Sequence, residues 1–132
     1  MRKVFINGCF DILHRGHIEL FKKAYSMGDF VMVAIDSDSR VRSMKGETRP
    51  VNNQEDRKFL LESIRFINEV CIFDSSEELE NEIKFYKPDI MIVGSDYKNK
   101  NVIGSQYAKE LHFFERINEY STTKTIKNIN DR

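Results

Sequence analysis

The chain has 132 residues, of which 40% are hydrophobic and 32% charged, and its 21 basic residues balance its 21 acidic residues. A chain of this length can bury a core without disulfides or metals, and the lack of surplus positive charge argues against broad nucleic-acid binding. The 2 cysteines are too few for a disulfide framework, and no apolar run approaches the length of a membrane span. We therefore expect a single domain over residues 1–132, in the cytoplasm and away from membranes.

Hydrophobic periodicity predicts strands and helices that alternate along the chain. Short, continuously apolar strands are expected at residues 3–7, 30–36, 69–73 and 89–93. Amphipathic helices are expected between them, at residues 17–27, 54–64 and 75–86. Ser75 and Glu78 have the spacing of a capping box, which marks the start of the third helix. Alternating elements of this kind form right-handed βαβ units, so the predicted fold is α/β: a Rossmann-like, doubly wound parallel sheet with helices on both faces.

The other segments are predicted as loops and short elements. Polar loops follow the four strands, at residues 8–17, 37–52, 74–78 and 94–105. A short helix at residues 106–111, an edge strand at 112–116 and a last helix at 121–129 complete the chain. Because open parallel sheets bind ligands beyond the carboxyl ends of their strands, we expect the functional site among these loops. Asp96, in the fourth loop, is expected to contact a bound ligand there.

The first loop, "GCFDILHRGH", has two histidines and a cysteine within ten residues. His14 and His17 are spaced to share a helix face as metal ligands, but the chain has only one other histidine, His112. Cys9 as a nucleophile with a histidine base is a second alternative, and the start of an ordinary helix is a third. The fourth is a phosphate site, since Gly8 lets the backbone approach a bound group and a helix start offers unpaired N–H groups. The residues favour the phosphate site.

The same stretch resembles the HxGH signature of the cytidylyltransferase-like nucleotidyltransferases, which join a nucleoside triphosphate to a phosphorylated acceptor and release pyrophosphate. The resemblance implies that His14 and His17 contact the triphosphate and stabilise the transition state at its α-phosphate. It also implies that Lys45, in the loop after the second strand, contacts the phosphates. Mg²⁺ is then expected as a cofactor that the triphosphate carries, with no metal site in the protein.

Four residues of the first loop are expected to bind the nucleotide: Gly8, Cys9, Phe10 and Asp11. Asp11 has alternative roles, because its carboxylate can act through magnesium, orient a histidine or simply fix the turn.

A second resemblance lies near the C-terminus. The stretch "RINEYSTTK", residues 116–124, resembles the "RTEGISTT" signature of glycerol-3-phosphate cytidylyltransferases, although "RTEG" is altered to "RINE". It implies nucleotide binding by Arg116, Ser121, Thr122 and Thr123. Hydroxyls and free N–H groups at a helix start form a phosphate cradle, and a plain serine N-cap is the alternative.

Two further arginines fit the same family. Arg57 and Arg65, in "EDRKFLLESIRFINEV", match a helix of the glycerol-3-phosphate enzymes. Being eight residues apart, they lie roughly 80° apart around a helix, so both can face the acceptor site or a neighbouring subunit. A solvated basic face is the alternative. The resemblance and Arg65 together indicate a homodimer.

The resemblance indicates two substrate pairs. Arg65 and Arg116 favour a glycerol-3-phosphate cytidylyltransferase-like enzyme that transfers CMP from CTP to a phosphorylated polyol. The stretches "NGCFDILHRGH", "KGETRPVN" and "GSDYKNKNVIGS" look more like the nucleotidyltransferase domain of ADP-heptose synthases, which transfers AMP from ATP to a sugar 1-phosphate. The first is our main expectation and the second its alternative. A nucleotide-binding regulatory module without catalysis is the alternative from another class.

Overall fold

A computed structural model describes residues 1–115 of the chain. Its five strands are β1 (Lys3–Gly8), β2 (Phe30–Asp36), β3 (Glu69–Phe73), β4 (Ile90–Gly94) and β5 (Glu110–Phe114). The helices are α1 (Arg15–Met27), α2 (Asp38–Lys45), α3 (Gln54–Glu62) and α4 (Ser76–Tyr86), and there are 3₁₀ turns at Ser95–Tyr97 and Ser105–Tyr107. The predicted last helix at 121–129 lies outside the described residues, as do Arg116, Ser121, Thr122 and Thr123.

The strands form one parallel sheet in the order β3-β2-β1-β4-β5, with a hydrophobic core on each face. Side chains alternate between the faces along each strand, so Ile6 and Val33 pack with α1 and α3 while Phe5 and Met32 pack with α4. Each fully buried side chain of this size stabilises the fold by about 1.5–3 kcal/mol. The predicted doubly wound α/β fold is confirmed.

The sheet also explains where a ligand can bind. The chain moves from β1 outward to β2 and β3, then returns to the opposite side of β1 with β4 and β5. The loops that leave β1 and β4 therefore diverge, and they open a crevice at the carboxyl ends of these two strands.

Most predicted elements are confirmed within two residues. The strands at 30–36 and 69–73 have the predicted bounds, and α3 ends two residues early at Glu62. Ser75 caps α4 as expected, because its hydroxyl accepts the N–H of Glu78 at 3.1 Å. The Glu78 carboxylate accepts the N–H of Asp74 at 2.6 Å, so the reciprocal bond of the capping box is displaced by one residue.

The prediction of a loop throughout residues 37–52 is wrong, because α2 forms within it. Ser37 caps the helix by accepting the N–H of Arg40 at 3.2 Å, Asp38 lies in the first turn, and Lys45 lies in the last. Gly46 ends the helix with φ 105°, a backbone conformation that residues other than glycine rarely adopt. Caps and charges thus support a helix whose one buried residue, Val41, gives no hydrophobic periodicity.

The predicted helix at 106–111 is also wrong. Ser105–Tyr107 form a 3₁₀ turn, and β5 already begins at Glu110. The N–H groups of Lys109 and Glu110 donate to the carbonyls of Pro88 and Asp89, so pairing with the segment before β4 draws this part of the chain into the sheet. Tertiary pairing overrides the local helical preference.

Within residues 1–115, no helix is both long and apolar enough to cross a bilayer.

Candidate functional site

A cavity of about 440 Å³ lies at the carboxyl ends of the strands, in the crevice beside β1. Most of its lining comes from three parts of the chain: β1 with its loop into α1, the helix α2, and β4 with the segment that follows it. The structure brings these predicted site residues to the cavity wall: Gly8, Cys9, Phe10, His14, His17, Lys45 and Asp96. Asp11, Arg57 and Arg65 do not line it.

The two histidines form the start of α1 together. His14 is the N-cap, and its Nδ1 accepts the N–H of Gly16 at 3.1 Å. The Nδ1 of His17 accepts the backbone N–H of His14 at 3.3 Å, which completes a capping box made of two imidazoles. The rings stack with their centroids 3.8 Å apart and their planes 19° from parallel. The spacing H-x-x-H therefore fixes two rings side by side.

These backbone bonds decide the tautomer of both rings. Because each Nδ1 accepts an N–H, each neutral imidazole carries its proton on Nε2. Each ring therefore has its donor on the side away from its own backbone. Two N–H donors at the positive end of a helix dipole make a site that suits an anion.

Phe10 supports His17 from the side of the hydrophobic core. Its ring meets the ring of His17 edge-on at 5.2 Å and that of Phe21 at 5.2 Å, and its backbone has φ 49°. A Cβ at Gly8 would lie 3.0 Å from the Phe10 ring. Gly8 thus makes room for Phe10 as well as lining the cavity, and Phe10 holds His17 in place through a core contact.

Cys9 is half-buried at the cavity wall. Burial raises the pKa of its thiol, and the positive charges of Lys45 and Arg57 act in the opposite direction. The thiol is therefore protonated at neutral pH, which argues against a nucleophilic role. Lys45, at the end of α2, lines the same cavity.

Asp11 fixes a turn, which is one of the roles that the sequence left open, and its binding of nucleotide stays a prediction. The residue is 1% exposed. Its carboxylate accepts the N–H groups of Val51 at 2.7 Å and Asn52 at 2.8 Å, and Arg49 lies 3.3 Å away. The Asn52 side chain donates back to the Asp11 carbonyl at 2.8 Å. Asp11 thus ties the β1–α1 loop to residues 49–52.

Arg57 is 1% exposed, so it does not form the solvated basic face that was its alternative. A role in the acceptor site or at a subunit interface stays a prediction. Arg65 is exposed, and its guanidinium lies 5.0 Å from the ring centre of Phe66, away from the cavity. Arg65 lies beyond the end of α3 at Glu62, so the expected angle of roughly 80° between the two arginines around one helix does not apply. The homodimer stays a prediction.

The side of the cavity formed by the end of β2 and by α2 holds two residues that the sequence analysis did not identify. Asp36 and Arg40 line the wall beside Lys45, and the Arg40 Nε lies 2.7 Å from an Asp36 oxygen. The position of Asp36 at the carboxyl end of a buried strand was the available signal. On the other side, the Asp96 carboxylate folds back over Gly94, where a Cβ would meet it at 2.5 Å.

Comparison with known proteins places this site in a family. The family model described as cytidylyltransferase-like matches residues 5–128, from β1 to beyond the described residues. The chain belongs to the cytidylyltransferase-like family. Its members are nucleotidyltransferases, so this cytidylyltransferase-like chain is a nucleotidyltransferase domain.

Relatives of the cytidylyltransferase-like chain carry the name bifunctional protein HldE. The one from Campylobacter concisus is 44% identical over 128 residues, which are 97% of this chain and 27% of the relative. The one from Helicobacter pylori strain 26695 is 42% identical over 126 residues, or 96% of this chain and 27% of the relative. The chain therefore spans about a quarter of the length of the curated relatives it matches.

A solved structure has the same fold as the cytidylyltransferase-like chain. It is the lipopolysaccharide core biosynthesis protein from Thermoplasma volcanium GSS1, with a TM-score of 0.71 and 25% sequence identity. The match covers 86% of this chain and 97% of that one, and it supports the Rossmann-like architecture.

Proposed function

We propose that this domain transfers a nucleotidyl group from a nucleoside triphosphate to a phosphorylated acceptor and releases pyrophosphate. The observation that carries the proposal is the pair of stacked imidazoles at the start of α1, whose Nδ1 atoms are occupied by backbone N–H groups. An oxygen of the acceptor phosphate attacks the α-phosphate in line, and pyrophosphate leaves from the opposite side.

The histidines stabilise charge that develops during this attack. Their Nε2–H groups donate to oxygens of the α-phosphate and of the leaving pyrophosphate, where negative charge accumulates in the transition state. A donor fixed in advance needs no reorganisation at the moment of reaction, and each such donor contributes about 10²–10³ in rate. The acceptor phosphate has a second pKa of about 6, so it is largely ionised at neutral pH and needs no strong base.

Lys45 neutralises part of the remaining charge of the triphosphate, and Mg²⁺ carried by the triphosphate would supply further positive charge. Lys45 ends α2 at the cavity wall, where its ammonium group can reach the phosphates. Within the described part of the chain, no group of three or more histidine, cysteine, aspartate or glutamate residues is arranged to hold a metal ion. Mg²⁺ that enters as a complex with the triphosphate would screen the phosphate oxygens.

The comparisons favour AMP transfer from ATP to a sugar 1-phosphate over our main expectation of CMP transfer to glycerol 3-phosphate. Relatives named HldE match nearly the whole chain, and a structural neighbour is named for lipopolysaccharide core biosynthesis. The stretches "NGCFDILHRGH", "KGETRPVN" and "GSDYKNKNVIGS" resemble ADP-heptose synthases. We therefore propose a heptose-type sugar 1-phosphate as the acceptor class and ATP as the donor.

A panel of substrates tests the proposal. The purified chain is incubated with Mg²⁺ and each of ATP, CTP, GTP and UTP, combined with sugar 1-phosphates including a heptose 1-phosphate, or with glycerol 3-phosphate. We expect pyrophosphate only when both substrates are present, with the highest kcat/KM for ATP and the heptose 1-phosphate.

The other outcomes separate the alternatives. Highest kcat/KM for CTP and glycerol 3-phosphate would restore the cytidylyltransferase expectation. Tight triphosphate binding by calorimetry, with no pyrophosphate from any acceptor, would replace the enzyme with a nucleotide-binding regulatory module.

A further inference from the structure

We propose that Arg57 is a positioning residue for this reaction, one that fixes the loop bearing the two histidines relative to the helix bearing Lys45. The inference rests on the proposed function of the cavity, because Arg57 does not line the cavity and acts through the segments that do.

All three nitrogens of the Arg57 guanidinium are used. Nη1 donates to the carbonyl of Cys9 at 3.0 Å and to the carbonyl of Asp36 at 2.7 Å. Nη2 donates to the carboxylate of Asp38 at 2.8 Å, and Nε donates to the carbonyl of Asn52 at 3.0 Å. One side chain therefore joins the β1–α1 loop, the end of β2, the start of α2 and the loop before α3.

The segments that it joins are the ones that carry the reacting groups. Cys9 directly precedes Phe10, whose ring contacts His17. Asp38 is the first residue of α2, the helix that ends at Lys45. The chain between these groups runs through the whole of α1 and β2, so their relative position depends on contacts between the segments.

Helix α2 buries little apolar surface, since Val41 is its only buried residue. Side-chain contacts hold its first turn: Arg40 contacts Asp36, Ser76 and the Phe73 ring, Ser39 contacts Asp74, and the Asp38 N–H donates to the Gln54 side chain. The ion pair of Asp38 with Arg57 differs from the other contacts of this turn. The Arg57 side chain is fully buried, and three further hydrogen bonds to backbone carbonyls hold it in place. Arg57 thus sets the starting point of α2.

Asp11 extends the same network. Arg57 holds the Asn52 carbonyl, while the Asn52 N–H donates to Asp11 in the β1–α1 loop. The path from Cys9 through Arg57, Asn52 and Asp11 returns to the same loop two residues later. The β1–α1 loop is therefore fixed at two points before it reaches His14.

Lysine cannot replace this arginine. A guanidinium is a planar fork that reaches several acceptors at once, whereas an ammonium group is a single point with three donors. In an Arg57→Lys variant, the charge is kept but some carbonyls of Cys9, Asp36 and Asn52 lose their donor. Small displacements of reacting groups are costly, since about 1 Å can lower a rate by 10²-fold.

The test compares Arg57→Lys and Asp38→Asn with Leu61→Ala. Pyrophosphate release and amide hydrogen exchange are measured at a temperature well below the Tm of every variant. Leu61 is a buried core residue of the same helix α3, so its truncation destabilises that helix without touching the network. We expect Arg57→Lys to lower kcat about tenfold while KM for the triphosphate changes less than about threefold. Asp38→Asn is expected to lower kcat about threefold, and Leu61→Ala to lower Tm with kcat within about twofold of the wild type.

Amide hydrogen exchange tests the hydrogen-bond network around Arg57 without any substrate. In Arg57→Lys we expect the Val51 and Asn52 amides, which donate to Asp11, to exchange at least about tenfold faster while the β1 amides are unchanged. Equal kcat and equal exchange in Arg57→Lys and wild type would overturn the positioning role, as would a fall in kcat for Leu61→Ala as large as that for Arg57→Lys. If Arg57→Lys does not fold, a wild-type kcat in Asp38→Asn overturns it. A wild type that releases no pyrophosphate instead contradicts the proposed function, and amide exchange still tests the network.

Discussion

Replacing His17 with alanine is expected to lower kcat by about 10²- to 10³-fold, because the variant loses an Nε2–H donor aimed at charge that forms only in the transition state. The binding of the triphosphate is expected to change much less, since the α1 N-terminus and Lys45 remain. The measurement is steady-state pyrophosphate release at saturating substrate, together with calorimetric binding of the triphosphate.

The third histidine provides a matched control. His112 lies in β5, makes a 3.3 Å contact with Glu110 and does not line the cavity. His112→Ala is expected to keep kcat within about twofold of the wild type, since surface substitutions of this kind have small effects. Because His17 also caps α1, thermal unfolding must show that His17→Ala is folded at the assay temperature. Wild-type kcat in folded His17→Ala would remove the histidine pair from the mechanism.

Replacing Lys45 with alanine is expected to lower kcat/KM by about 10²-fold, because the ammonium group both attracts the triphosphate and stabilises charge that moves toward the leaving pyrophosphate. The dependence of kcat/KM on salt concentration should also become weaker, since one of the positive charges at the cavity is removed. Pyrophosphate release measured across a series of ionic strengths gives both quantities.

Two variants control for the effect of Lys45. Lys22→Ala removes an exposed lysine of α1 that does not line the cavity, and it should leave kcat/KM within about twofold of the wild type. Lys45→Arg keeps the charge and is expected to lose less activity than Lys45→Ala. Equal losses in Lys22→Ala and Lys45→Ala would reduce the role of Lys45 to general surface charge.

The sheet could be predicted from sequence because its strands are nearly continuous runs of apolar residues. Val31, Val33 and Ile35 pack on one face of β2 and Met32 and Ala34 on the other, so the strand has no polar side that would blur the pattern. Helix α2 could not be predicted in this way, since it lies at the edge of the fold with one buried residue. Its signals were a serine cap, an acidic first turn and a terminal glycine.

Some site residues could be predicted from the sequence and others could not. Spacing along a helix indicates on which side a residue lies, but not how deeply it is buried. The H-x-x-H spacing placed two imidazoles together because both belong to one helix start. The contacts of Arg57 could not be predicted, because three of its acceptors are the carbonyls of Cys9, Asp36 and Asn52, and a carbonyl has no signature in the sequence. The role of Asp11 was open for the same reason, since its partners are backbone N–H groups of the distant residues 51 and 52.

Attack by an acceptor phosphate oxygen on the α-phosphate is the central claim, and an isotope experiment tests it most directly. The acceptor found by the substrate panel is prepared with ¹⁸O in its non-bridging phosphate oxygens, and the products are analysed by ³¹P NMR and mass spectrometry. We predict one ¹⁸O in the oxygen between the two phosphorus atoms of the nucleotide product and none in the pyrophosphate. Labelled pyrophosphate, or release of a nucleoside diphosphate without pyrophosphate, would contradict this mechanism.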